Sequence, residues 1–151
     1  MRRLLVVLVP ALVAAGCGGS KHAGTPQNAY LTDVRVDGSS VRFEFESAPE
    51  QVTASYAARS QLSECGSGRP IRLPGGAFVV VHFRPAATAR LDGEQVVPTY
   101  TGPRRLRGDG PVLAAAKSCD FEADLGWAIG VERRLALDVS RDGRTVTVSF
   151  G

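Results

Sequence analysis

The residues best equipped for chemistry lie in one run, Cys119-Asp120-Phe121-Glu122-Ala123-Asp124-Leu125-Gly126-Trp127-Ala128-Ile129-Gly130-Val131. It holds a cysteine, the densest group of carboxylates and the only tryptophan. As an extended chain it puts Asp120, Glu122 and Asp124 on one side and Phe121, Ala123 and Leu125 on the other. Carboxylates two apart on a strand stand about 7 Å from each other, a spacing that suits an inverting glycosidase pair. Side by side on one strand, however, they do not flank a bond from opposite faces of a sugar, so a glycosidase fits poorly. Asp-x-Glu-x-Asp also offers hard oxygens to calcium. It departs from an EF-hand loop, because Gly126 comes one position late and Val131 stands where the bidentate glutamate belongs. The favoured reading is a solvated acidic face paired with arginines.

The cations that can meet those carboxylates, or a ligand, are Arg104, Arg105 and Arg107 in Gly102-Pro103-Arg104-Arg105-Leu106-Arg107-Gly108, with Arg133-Arg134 as a second group. Guanidinium groups grip phosphate or carboxylate on a wall polymer or a lipid headgroup, and they also pair with carboxylates inside a domain. The internal role, with Asp120, Glu122 and Asp124 as partners, is favoured. Trp127 with Tyr100 and Tyr56 offers either a sugar-stacking platform or core, and core is the commoner use of a lone tryptophan. His82 lies opposite in phase to Val79 and Val81 and reads as a structural histidine with a satisfied ring. The sequence holds no Gly-x-Ser-x-Gly elbow, no Cys/His set with zinc spacing and no phosphate loop. No cofactor is expected, and no enzymatic activity.

The elements that must position these groups read as β almost throughout. Leu31–Val36 and Val41–Glu46 form two strands around Asp37-Gly38, and Val41, Phe43 and Phe45 alternate with Arg42, Glu44 and Glu46. Gln51–Ala58 alternates less clearly. Ala77–Phe83 is a nearly unbroken apolar run, as expected of a central strand buried on both faces. Leu135, Leu137 and Val139, then Val146, Val148 and Phe150, flank Asp142-Gly143, a strong hairpin signal. Further Asp-Gly pairs at Asp92 and Asp109 mark turns. Val112–Lys117, rich in alanine and preceded by Pro111, is the one stretch with helical character. Gly126 and Gly130 predict a bend or bulge on either side of Trp127. Many short strands with Gly/Pro turns predict an all-β sandwich or barrel.

The first residues are set apart. Arg2 and Arg3, the apolar run Leu4–Ala15 and the small residues before Cys17 have the three-part layout of a secretory signal. The apolar run is shorter than the roughly 20 residues a spanning helix needs. Ala14-Ala15-Gly16-Cys17 resembles the lipobox of bacterial lipoproteins, although Ala14 stands where a large aliphatic residue is usual. That resemblance implies cleavage after residue 16, lipidation of Cys17 with palmitate among its acyl chains, and a membrane anchor on the extracytoplasmic face. The alternative is an ordinary signal with a chance cysteine. Of three cysteines, a lipidated Cys17 leaves Cys65 and Cys119 as an even pair, expected to be oxidised in an exported protein, with free thiols as the alternative. Residues 1–16 are thus a signal, residues 17–29 a lipidated N-terminus and small, polar, flexible linker, and residues 30–151 one folded domain. The chain's formal charge of +3 falls to +1 once Arg2 and Arg3 leave, which argues against a nucleic-acid partner.

Along the domain, Leu31-Thr32-Asp33-Val34-Arg35, Val41-Arg42-Phe43-Glu44-Phe45, Tyr100-Thr101-Gly102-Pro103-Arg104-Arg105-Leu106, Asp120-Phe121-Glu122 and Trp127-Ala128-Ile129-Gly130-Val131 follow one another. This order resembles the AMIN-like domain of actinobacterial secreted proteins and lipoproteins. Ala123 departs from the pattern, since a glycine often follows the Asp-Phe-Glu run, and so does the Thr147-Val148-Ser149-Phe150 close. The resemblance implies a β-sandwich and a non-catalytic role in the cell envelope. Its expected partner is peptidoglycan or another wall polymer, with docking of an envelope protein as the alternative. No binding residues carry over. Arg104, Arg105, Asp120, Glu122 and Trp127 are the candidates, as polar or aromatic members of the matching motifs.

Overall fold

Short alternating stretches, each ended by a turn, assemble here into two packed sheets. The computed structural model describes residues 27–151, so the signal segment, Cys17, His22 and the linker up to residue 26 lie outside the described residues. One sheet contains β1 (Ala29–Asp37), β2 (Ser40–Phe45), β5 (Ala86–Ala87), β11 (Leu137–Asp142) and β12 (Thr145–Phe150) in the order β11-β12-β2-β1-β5. The second contains β3 (Gln51–Ala57), β4 (Ala77–Arg84), β8 (Arg105–Arg107), β9 (Val112–Phe121) and β10 (Asp124–Val131) in the order β3-β4-β10-β9-β8. A separate hairpin pairs β6 (Ala89–Asp92) with β7 (Gln95–Pro98). Only the β1–β5 contact is parallel. The all-β sandwich expected from the turn spacing is the fold.

Period-two alternation decides what faces the space between the sheets. From the first sheet come Leu31, Val41, Phe43, Phe45, Val146, Val148 and Phe150; from the second come Val79, Val81, Phe83, Leu125, Trp127, Ile129 and Val131. Trp127 is fully buried and lies edge-on to Phe43 at 5.8 Å and to Tyr100 at 6.0 Å between ring centroids. Its candidacy as a binding residue is therefore corrected: its ring is core. Tyr100 is buried beside it, with its hydroxyl donating to the Pro103 carbonyl at 2.8 Å. Tyr56 is also occupied, since its hydroxyl donates to the Leu135 carbonyl at 2.7 Å and accepts the Leu135 N–H at 3.0 Å. No platform of Trp127, Tyr100 and Tyr56 exists.

The outer face of the second sheet is covered too. Between β3 and β4 the chain makes an excursion over residues 58–76, starting with a 3-10 turn at Arg59–Gln61. Leu62, Ile71 and Leu73 from the excursion pack on Phe78, Ala114, Ala116 and Ala128. Ala77–Phe83 is thus buried on both faces, as its unbroken apolar run predicts. The same packing overturns the helical reading of Val112–Lys117, which lies within β9. Val112 and Ala115 face the main core while Ala114 and Ala116 accept the excursion, so tertiary burial overrides alanine's helix preference. Pairing slips between Gly126 and Trp127 and between Gly130 and Val131, the two expected bulge sites. At Gly130 a side chain has no room: a Cβ there would lie 2.1 Å from the Pro74 carbonyl oxygen of the excursion.

Candidate functional site

The acidic run is a hairpin, not one strand. Phe121 pairs with Asp124, and the two residues between them turn the chain with positive φ, 49° at Glu122 and 60° at Ala123. Two positive φ values in a two-residue loop are the signature of a type I′ turn. This breaks the alternation, so Asp120, Glu122 and Asp124 share no face, and Phe121, expected inside, is 62% exposed. Leu125 is buried as expected.

Two of the three carboxylates meet cations, though not the expected ones. Asp120 accepts from Lys117 Nζ at 2.9 Å and from the Thr88 hydroxyl. Burial pushes its pKa up, but the Thr88 hydroxyl and Lys117 outweigh burial and hold it below the usual carboxylate range. Asp124 accepts from His82 Nδ1 at 2.8 Å and from Arg84. There too burial raises the pKa, and the bonds from Arg84 and His82 bring it below the ordinary value. His82, half-buried, is held by Asp124 through Nδ1. The expected pairing with Arg104, Arg105, Arg133 and Arg134 is a correction. Strand β8 pairs with β9 at Ala114–Ala116, and Phe121 lies five residues further along, about 16 Å at strand rise. Arg104 instead faces Glu64 at 3.8 Å, Arg105 donates to the Arg72 carbonyl at 2.7 Å, and Arg133 pairs with Glu132 at 2.9 Å. Arg134 stacks on Tyr56, 4.3 Å above its ring.

The disulfide expected between Cys65 and Cys119 is present and closes a separation of 54 residues. With the Cys65 N–H donating to the Ser118 carbonyl at 2.9 Å, it fixes the excursion onto β9. On either side of this bridge the excursion stands off the sheet and leaves clefts. One, of about 250 Å3, is bordered by Gln61, His82, Ser118 and Asp124. The next, of about 310 Å3, is bordered by Glu64, Arg104, Lys117, Asp120 and Phe121, and the two share Cys65, Ser118 and Cys119. A third shares Glu64, Arg104 and Lys117 with the second and adds Arg105, which leads to a fourth beside Arg107 and Pro74. These clefts follow one another from His82 to Arg107 along the outer face and the β9 edge of the second sheet, a furrow crossed by the Cys65–Cys119 bridge.

This furrow gathers Arg104, Arg105, Asp120, Cys65 and Cys119. Glu122 sits at the hairpin tip beyond it, and Trp127 lies on the opposite face of the sheet. Sequence reasoning missed Lys117, Glu64, Ser118 and the exposed Phe121. Glu64, next to Cys65, is the one a sequence signal could have found. The Ser67 hydroxyl, and then Arg69 and Arg104, hold the Glu64 carboxyl below its usual range. Among the described residues no three His, Cys, Asp or Glu side chains gather as a metal cage. None of their helices is long and apolar enough to cross a membrane.

The profile of the AMIN-like domain matches residues 29–146, which takes in the second sheet, the furrow and the first sheet up to the start of β12. The chain belongs to the AMIN-like family. Neither a curated protein nor a solved structure matches this chain. Membership associates this AMIN-like domain with the cell wall and with the extracytoplasmic side of the envelope. It agrees with the order of motifs from Leu31 to Val131 that carried the resemblance.

Proposed function

We propose that this AMIN-like domain is a non-catalytic envelope module that holds an extended wall polymer, peptidoglycan or another, in the furrow beside the disulfide. The observation that carries this reading is the row of clefts: four neighbours, each bordering the next, suit a linear chain laid on a surface. Each is at or below the lower end of the roughly 300–1,000 Å3 range of pockets that engulf a small ligand. Arg104, 69% exposed, and Arg105 border its basic half and meet phosphate or carboxylate groups on the polymer. Asp120 and Asp124, engaged by cations and held ionised, serve structure rather than proton donation. Lipidation of Cys17 with palmitate among its chains anchors the domain at the membrane through the residues before β1.

A second reading, a scaffold that docks an envelope protein, has one observation in its favour. On the β6–β7 hairpin Leu91 and Val96 stand opposite each other and are 71% and 67% exposed. Retention on insoluble wall sacculi separates the two. The chain from Lys21 to Gly151 is expected to be retained at low salt, less at high salt, and less in an Arg104→Ala/Arg105→Ala variant. Absence of retention at both salt concentrations overturns polymer binding and leaves the hairpin as the surface to pursue.

A further inference from the structure

We infer that the Phe121 end of the furrow is a subsite for one sugar unit; the inference deepens the polymer reading above and rests on it. Phe121 is one of three large apolar side chains exposed among the described residues, and the only one of the three that borders a cleft of the furrow. An exposed aromatic ring beside polar groups is what the C–H face of a pyranose stacks on, with its hydroxyls directed to the polar groups.

The polar groups at this end are matched to hydroxyls. Asp124 is ionised and only accepts, so the His82 nitrogen bonded to it, Nδ1, carries the hydrogen. In the neutral ring Nε2 is then an acceptor, and it has no partner among the described residues. The Ser118 hydroxyl, shared by the first two clefts, is buried at their floor and also has no partner among the described residues. Gln61 Oε1 accepts the Ala58 N–H at 2.7 Å, which leaves its amide N–H groups as donors. Asp120 is matched by Lys117 and Asp124 by Arg84. Arg104, 69% exposed, borders the same cleft as Phe121 and is the cation beside this unit. The basic half of the furrow, at Arg104 and Arg105, takes the charged groups of the same polymer.

The probe is a neutral β-1,4-linked N-acetylglucosamine tetramer, titrated into the chain from Lys21 to Gly151 and followed by amide NMR shifts. Saturable shifts at His82, Ser118 and Phe121 are expected. Phe121→Ala, an exposed position whose truncation leaves the fold intact, is expected to weaken binding about tenfold, while Phe121→Trp retains it. No saturable shift, or equal affinity in Phe121→Ala, overturns the subsite. If sacculi still retain the protein in that case, the polymer reading stands without it. If instead the tetramer binds through Phe121 and sacculi retain nothing, the subsite stands and the polymer reading falls.

Discussion

Strands β4, β9 and β10 present two opposite faces built from the same stretches of chain, and the faces follow different rules. The inner face is filled by large side chains: Val79, Val81 and Phe83 alternate along β4, and Leu125, Trp127, Ile129 and Val131 along β10. The outer face of β9 and β10 carries Ala114, Ala116, Gly126, Ala128 and Gly130. Large residues close a space against a second sheet. Small ones let a loop lie flat on the sheet, and where the loop lifts away they leave a furrow. The large buried side chains are concentrated on the inner face and the clefts on the outer one, so the covering loop can vary without the core being rebuilt.

The largest effect should come from the inner face. Trp127→Ala removes a fully buried ring that touches Phe43 and Tyr100 and is expected to cost about 3–5 kcal/mol, read as a lower denaturation midpoint with near-UV signal lost throughout the domain. The outer face is broken differently. Cys65→Ser with Cys119→Ser releases a 54-residue closure, worth about 4 kcal/mol on the chain-entropy account. Hydrogen exchange should then show residues 58–76 opening ahead of β4 and β10. If both faces lose protection together, excursion and sandwich are a single cooperative unit and the division of labour is wrong.

Acid separates the faces by charge. The main core contains no ionisable carboxylate, whereas Asp120 and Asp124 at the furrow end have pKa values depressed below the ordinary range. A depressed folded pKa means that the unfolded chain binds more protons, so stability is present above the unfolded value of about 4 and is lost as pH falls through the folded values. Thermal midpoints should therefore be level above about pH 5 and decline below about pH 4. Asp120→Asn and Asp124→Asn should each flatten that decline. An unchanged slope in both variants would show that these pairs carry no stability.

The inner face was largely legible from alternation alone, because burial between two sheets imposes period two. Val41, Phe43 and Phe45, the Ala77–Phe83 run and the hairpin at Asp142-Gly143 all lie where the pattern puts them. The outer face was much less so. Its cover comes from residues 58–76, which have no period, and its small residues read equally well as helix, which is why Val112–Lys117 misled. The candidate site suffered most at one turn. Glu122 and Ala123 adopt positive φ without glycine or asparagine to announce it, so the strand appeared to run through them and Phe121 appeared to point inward. Arg104 and Arg105 were legible as a basic cluster, but their partners depended on β8 lying at the sheet edge.

That turn allows the smallest and sharpest test. Alanine at φ 60° brings its Cβ toward the following carbonyl, while glycine meets no such conflict. Ala123→Gly should therefore stabilise the domain, by about 0.5–1 kcal/mol after the greater freedom of glycine in the unfolded chain is subtracted. The Ala123 carbonyl accepts the Ala86 N–H at 2.9 Å, and a backbone bond of this kind survives the substitution. The denaturant midpoint should rise at constant slope, and Phe121 should keep its place at the furrow mouth. A fall in the midpoint would mean that the alanine methyl makes packing contacts worth more than the backbone strain it imposes. The hairpin tip would then belong to the tightly packed part of the molecule rather than to its open face.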